Sequence, residues 1–274
     1  MLSAATAAVS LHCDARLSMP EHPIFAAVKA LDVEAVRREL AAGGDPDTYE
    51  DSPHYPDTPL LCAVRSPRHA PERQMRERLE IISLLLEAGA SVDLVASVGQ
   101  TPLHHAAHSE SQAYHAVIAA LLEAGADPNF ETSETGIKQS VLASAAACGT
   151  AGAVRMLISA GASDLDRALV LAIENGKQRN CTPLLRAGAA IPWHVSQEWP
   201  VRSDPQTLAY IRRIRATWGG FKAYEKAHRQ HLAAIFLAKF PVLPVEMLER
   251  IVEFSYNVAG PSNCPSIAPK YLLD

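Results

Sequence analysis

The chain has 274 residues, 48% hydrophobic and 20% charged, with a formal net charge of −5. That is material for one large or two small domains with a substantial core, and the negative balance argues against bulk attraction to nucleic acid or an anionic membrane. Five scattered cysteines (Cys13, Cys62, Cys148, Cys181 and Cys264) form no CxxC pair. This speaks against a disulfide framework or a structural zinc and for a reducing compartment, cytoplasm or nucleus.

Residues 1–19 are Ala/Ser-rich, with Asp14 and Arg16 as their only charged side chains. They are expected to be a disordered leader. A targeting peptide is the alternative, although the basic n-region of a secretory signal is missing. No run approaches the roughly 18–20 apolar residues of a membrane-spanning helix.

From His22 a unit recurs. HPIFAAVKALDVEAVRRELAAGGDPD places His22 and Gly43 21 residues apart, the same interval that separates Ser140 from Gly161 and Arg167 from Gly188. DTPLLCAVR opens a second unit at Thr58, which closes at Gly89 with about ten residues inserted. The clearest copy is GQTPLHHAAHSESQAYHAVIAALLEAGADPN, Gly99 to Asn129, with about three extra residues between Thr101 and Gly125. The types suit paired helices. Thr58 and Thr101 are fitted to cap a first helix with Pro59 and Pro102 at its first position. Leu103, Ala106 and Ala107 fall at helical spacing, and Leu121 and Leu122 serve a second helix. Gly89, Gly125, Gly161 and Gly188 stand where that helix must end in a left-handed residue.

The TPLHxAA opening, the LLExGAD close and the interval between them resemble the ankyrin repeat, whose period is about 33 residues. The resemblance implies an all-α solenoid of paired antiparallel helices with hairpin-like fingers. Five units are expected over residues 20–190, near 22–57, 58–100, 101–139, 140–166 and 167–190. Each buries its face only against its neighbours.

Individuality lies in the departures. The second unit's insertion, Ser66 to Glu80, holds Pro67 and Pro71, so a loop leading into a lengthened second helix is expected. Its arginines Arg68, Arg73, Arg76 and Arg78 are expected on a solvated face, with an anion or partner contact as the alternative. The fingers after the first and third units are long. One holds Asp45, Asp47, Glu50, Asp51 and Asp57 with Tyr49 and Tyr55, and the other Phe130, Glu131 and Glu134. Exposed aromatics on such fingers look like binding apparatus, because aromatic anchors dominate interface energies; plain loop composition is the alternative. The fifth unit is eroded. Pro183 falls inside its second helix, which is expected to be short and to begin near Thr182.

After residue 190 the repeat is lost and a helical extension over 191–274 is expected. Asp204 and Pro205 read as cap and first residue of one helix, with Leu208, Ile211, Ile214 and Trp218 as its apolar stripe, broken at Gly219 and Gly220. A second runs to Pro241 with Phe221, Tyr224, Leu232, Ile235 and Phe236, and a third starts at Leu243-Pro244. Part of this apolar surface should cap the open end of the stack. Its basic residues, among them Arg212, Arg213, Arg215 and Lys222, are expected on a solvated helical face rather than against nucleic acid. VLPVEMLERIVEF, Val242 to Phe254, resembles the opening of an F-box. Leu243, Pro244, Glu246, Leu248 and Ile251 match LPxExLxxI, which implies contact with a Skp1-type ubiquitin-ligase adaptor. A SOCS-like box is a weaker match, since its Leu-x-x-x-Cys signature has no counterpart.

His104 and His108 stand one helical turn apart, a workable metal spacing. However, His104 is the histidine of TPLH, and the resemblance implies a hydrogen-bonding role for it. No GxGxxG, P-loop or GxSxG element is present, so neither catalysis, a small-molecule substrate nor a cofactor is expected. Ankyrin repeats bind through finger tips and the concave surface of the inner helices. Carried over position by position, this implies contacts from Lys29, Arg65, His105, His108, Ser144 and Glu174 on inner helices and from Tyr49, Tyr55 and Phe130 on fingers. Tyr55, Arg65, His105 and Phe130 are expected near the centre, against a protein partner.

Overall fold

The computed structural model describes residues 22–50, 57–65, 72–95, 99–132, 139–191, 204–217 and 219–239, with residues 247 and 250. Their regular elements are helices apart from one short hairpin, as an all-α repeat chain requires. Of the described residues, those up to Ala106 with Ala119–Ala126 form one compact unit, and Ala107–Ile118 with those from Asp127 onward form a second.

In the first unit two helix pairs stack: α1 (Pro23–Ala30) with α2 (Val33–Ala41), and α3 (Pro59–Val64) with α4 (Glu72–Glu87). Inner helix α1 packs on α3, and outer helix α2 packs on α4. Local chemistry explains the starts. Thr58 sits in extended backbone, its Oγ1 accepts from the Leu61 amide at 3.3 Å, and Pro59 occupies the first helical position. Asp32 caps α2 in the same way, accepting from the Ala35 amide at 3.0 Å. Ile24, Phe25, Val28, Leu60, Leu61 and Val64 are buried in the inner layer, and Val36, Ile81, Ile82 and Leu85 in the outer one.

The lengthened second helix is present. Helix α4 has 16 residues where α2 has nine, while the loop carrying Pro67, Arg68 and Pro71 lies outside the described residues. One expectation about its arginines is corrected. Arg76 is exposed, but Arg78 is only 6% exposed and donates through Nη1 to the carbonyl of Ala63. Its charge satisfies a carbonyl at the C-terminal end of short helix α3, where the last four carbonyls lack helical partners.

The third pair is α5 (Pro102–His108) and α6 (Tyr114–Glu123). Thr101 Oγ1 accepts from the His104 amide at 3.4 Å, and Leu103, Ala106 and Ala107 are fully buried.

In the second unit, β1 (Glu131–Thr132) pairs antiparallel with β2 (Gln139–Ser140), Glu131 opposite Ser140. Two helix pairs follow: α7 (Val141–Ala147) with α8 (Ala151–Ser159), and α9 (Leu165–Glu174) with α10 (Gln178–Ala187). Again inner packs on inner, α7 on α9, and outer on outer, α8 on α10. Ser140 caps α7 by accepting from the Ala143 amide at 3.2 Å. The turn before α8 admits only glycine, since a Cβ on Gly149 would lie 2.2 Å from the Ala107 carbonyl oxygen and 2.8 Å from that of Ala145.

The last pair departs from expectation twice. Helix α9 begins at Leu165 with Asp164 at its N-cap, three residues before the expected mark at Arg167. Asp164 makes no capping bond; its Oδ2 accepts instead from Ser140 Oγ at 2.8 Å, tying the starts of α7 and α9 together. Nor is α10 short. It begins at Gln178 and continues through Pro183 for ten residues. An interior proline costs about 3 kcal/mol, but here burial of Cys181, Thr182, Leu184 and Leu185 offsets it.

Four outer helices end alike. Gly89, Gly125, Gly161 and Gly188 take φ of +88°, +93°, +92° and +104°. In all four the following alanine donates back to the carbonyl five residues earlier at 3.0 Å, the Schellman arrangement. That alanine is buried each time, which explains the Gly-Ala pair.

Beyond the pairs come α11 (Pro205–Ala216), capped by Asp204 on the Thr207 amide at 3.0 Å, and α12 (Gly220–Lys239). Both pack on α10. Thr182 Oγ1 meets the Tyr210 hydroxyl at 3.1 Å, and Arg186 reaches Glu225 at 2.7 Å. The buried stripe of α11 is Thr207, Tyr210, Ile211 and Ile214. Leu208 is half-buried, and Trp218 lies outside the described residues. No helix among the described residues is long and apolar enough to cross a membrane.

Candidate interaction surfaces

Lys29 and Arg65 occupy corresponding positions of α1 and α3, seven residues after His22 and Thr58. Both are exposed, and each pairs with a carboxylate of the intervening finger: Lys29 with Glu50, and Arg65 Nη1 with Asp57 Oδ2 at 2.6 Å. The finger closes on itself where the Glu50 amide donates to the Asp57 carbonyl at 2.9 Å. Part of the acidity expected to serve a partner therefore pins the finger to the inner helices. Tyr49, on the same finger, is 49% exposed. Tyr55 lies outside the described residues.

The fingers also interlock at their roots. Asp47 accepts from the amide and the hydroxyl of Ser91, the amide at 2.7 Å. In the second unit Asn129 Oδ1 accepts from the Ser163 amide at 2.9 Å and its Nδ2 donates to the Gly161 carbonyl at 3.1 Å. The same two positions, four residues after one closing glycine and two after the next, form both links.

His104 is buried, with Nδ1 2.9 Å from Thr101 Oγ1, the hydrogen-bonding role that the resemblance implies. His105 is half-buried and His108 exposed. Phe130 is half-buried beside β1, and Glu174 half-buried at the end of α9. Ser144 is a correction: it is 2% exposed, because α7 is buried along its whole length, so it is a core position and presents nothing to a partner. Leu243, Pro244, Glu246, Leu248 and Ile251 lie outside the described residues.

A feature missed in the sequence lies where the outer helices of the second unit begin. The starts of α8, α10 and α11 and the segment before α6 line an open polar groove of about 730 Å³. Arg155, Lys177, Arg179 and Arg186 line it, against Glu110 and Asp204. The Asp204 carboxylate is committed to capping α11. On the groove wall His115 Nε2 and Thr150 Oγ1 share a hydrogen bond at 2.7 Å, and a Cβ on Gly152 would strike the His115 ring at 2.2 Å. Burial, and then the Arg155 charge, lower the His115 pKa below the usual histidine value. The sequence signal was weak: the basic residues come from separate units and converge only when outer helices stack.

Two thiols are chemically quiet. Burial pushes Cys62 up to about 11 and Cys181 up to about 12, so both stay protonated at neutral pH, whereas nucleophilic cysteines have depressed values.

Residues 24–132 match the family model for ankyrin repeats in three copies. Human SH3 and multiple ankyrin repeat domains protein 2 is 33% identical over 101 residues, which is 37% of this chain and 5% of that protein. This chain therefore matches only a small part of that relative. Residues 24–132 are thus ankyrin repeats.

Proposed function

We propose that this protein binds a protein partner through its fingers and inner-helix surface and catalyses nothing. Ankyrin repeats are interaction modules, and one observation carries the reading to particular residues. On the first unit Lys29 and Arg65 stand exposed in register and are held by finger carboxylates beside the exposed Tyr49. Held side chains lose little freedom on binding, which favours affinity. The proposed contacts are Lys29, Tyr49, Tyr55, Arg65, His105, His108, Phe130 and Glu174, without the buried Ser144. We also take the pairs α7/α8 and α9/α10 as continuing the array to about residue 190.

Affinity capture with the full chain identifies the partner. Alanine at His105 and Phe130 should then weaken its binding without lowering the melting temperature, while Arg65→Ala, which also takes this partner from the buried Asp57, should both weaken binding and lower that temperature; unchanged affinity in all three variants would reject the assignment. The adaptor reading rests on residues 243–251 alone. Helices α11 and α12 pack on α10, so residues 204–239 have a structural role of their own. A Skp1-type protein recovered with the intact chain and lost on deleting residues 241–274 would favour the adaptor.

A further inference from the structure

We infer that the groove at the start of α8, α10 and α11 docks an acidic peptide segment of a protein partner, at a second surface distinct from the fingers and inner helices. The proposal does not depend on the first surface.

Charge comes first. The chain carries −5 overall, yet Arg155, Lys177 and Arg179 line this groove against the carboxylates of Glu110 and Asp204, with Arg186 beside them already paired with Glu225. Asp204 is occupied in capping α11. A positive cleft in an acidic molecule attracts and orients acidic segments.

The groove also already holds a carboxylate of its own chain. Glu110 Oε1 lies 2.7 Å from Lys177 Nζ, and the Glu110 side chain is 75% exposed. An exposed pair of this kind contributes little to stability, so an incoming carboxylate can replace it. Lys177 stands at the N-cap of α10, which no side chain caps, and an anion there gains from the helix dipole. Gln178 and Gln206 beside these cations can donate to and accept from a peptide backbone. A volume of about 730 Å³ lies within the usual range of roughly 300–1,000 Å³ for ligand sites and suits a few residues of an extended segment rather than a single small anion.

The test is fluorescence anisotropy on the full chain with a labelled Glu-Gly-repeat peptide and a Lys-Gly-repeat control. The acidic probe should bind, the basic one should not, and affinity should fall as salt rises. The double variant Arg155→Glu/Arg179→Glu should weaken binding about tenfold or more. It should leave the melting temperature unchanged, since a glutamate in the first turn of α10 suits the dipole. Arg37→Glu/Arg38→Glu reverses as many exposed charges on α2 of the first unit and should change nothing. Glu110→Gln, which removes the internal competitor, should tighten binding roughly threefold. No binding of the acidic probe, equal losses in both double variants, or displacement by inorganic phosphate or single-stranded RNA as effective as by unlabelled peptide would overturn the proposal. Should the charge-reversal variant fail to fold, Glu110→Gln decides alone: tighter binding supports the docking site, and unchanged binding overturns it.

Discussion

Asn180 donates from its amide nitrogen to three carbonyls, those of Ala145, Ala146 and Gly149, at 3.3, 3.0 and 3.1 Å. It is 2% exposed, so a side chain of α10 closes the carbonyl end of inner helix α7. Asn180→Ala strands those acceptors away from water and should cost about 2–3 kcal/mol, read as a lower urea midpoint. Asn180→Asp places an acceptor against acceptors and should cost more. An unchanged midpoint in the alanine variant would mean that the carbonyls are satisfied otherwise. Thr58 and Thr101 were legible in the sequence because a cap bonds within its own turn. Arg78 and Asn180 were not, because their partners lie 15 and more than 30 residues away. Ser144 was misplaced because its burial depends on the helices around α7 and not on its own polarity. His115 gives a pH prediction at the same scale. Its pKa is lowered in the folded chain, by burial and then by Arg155, so the unfolded state takes up the proton first. Its contribution to stability is therefore full above the unfolded value of about 6.5, and falls as the pH drops below that value. Imidazole NMR should show His115 titrating below the free value, and Arg155→Gln should move it upward. A His115 titrating at or above the free value would contradict the placement.

Among the elements, the outer-helix ends were the most legible, because glycine answers a backbone requirement that no neighbour can alter. Gly161 has φ +92° and nothing within 4 Å of a Cβ. Gly161→Ala should therefore cost only its left-handed conformation, about 1–2 kcal/mol, in chemical denaturation. Gly149→Ala collides with two backbone carbonyl oxygens and should cost clearly more. Equal losses would mean that the α7–α8 turn relaxes freely. The fifth pair was the least legible. The rule that proline ends a helix misread α10, where buried neighbours hold the helix through Pro183. The start of α9 was misread because Asp164 answers to Ser140, in the preceding pair, rather than to its own helix. The groove was illegible for a related reason: Arg155 and Arg179 belong to different outer helices, and their convergence is a product of stacking.

At the scale of the whole chain, stability in a repeat array is a sum of local terms between neighbours. A terminal pair depends most on whatever covers it. Here α10 is covered by α11 and α12 through the Thr182–Tyr210 contact and the Arg186–Glu225 pair, with Tyr210, Ile211 and Ile214 buried along α11. Deleting residues 204–274 exposes that face of α10 and removes the Asp204 side chain packed against Gly176. Hydrogen exchange should then rise by about tenfold or more in α9 and α10, equivalent to the loss of roughly 1.4 kcal/mol of local protection, while α1–α4 keep their rates. Substituting Ile211 and Ile214 by Asp in the full chain should reproduce the pattern without shortening it, which separates loss of the cap from loss of the segment that follows. A uniform rise along the chain would show that the repeats unfold as one cooperative body. No rise at all would show that the face of α10 needs no cover, and would leave the packing of α11 and α12 without a stabilising role.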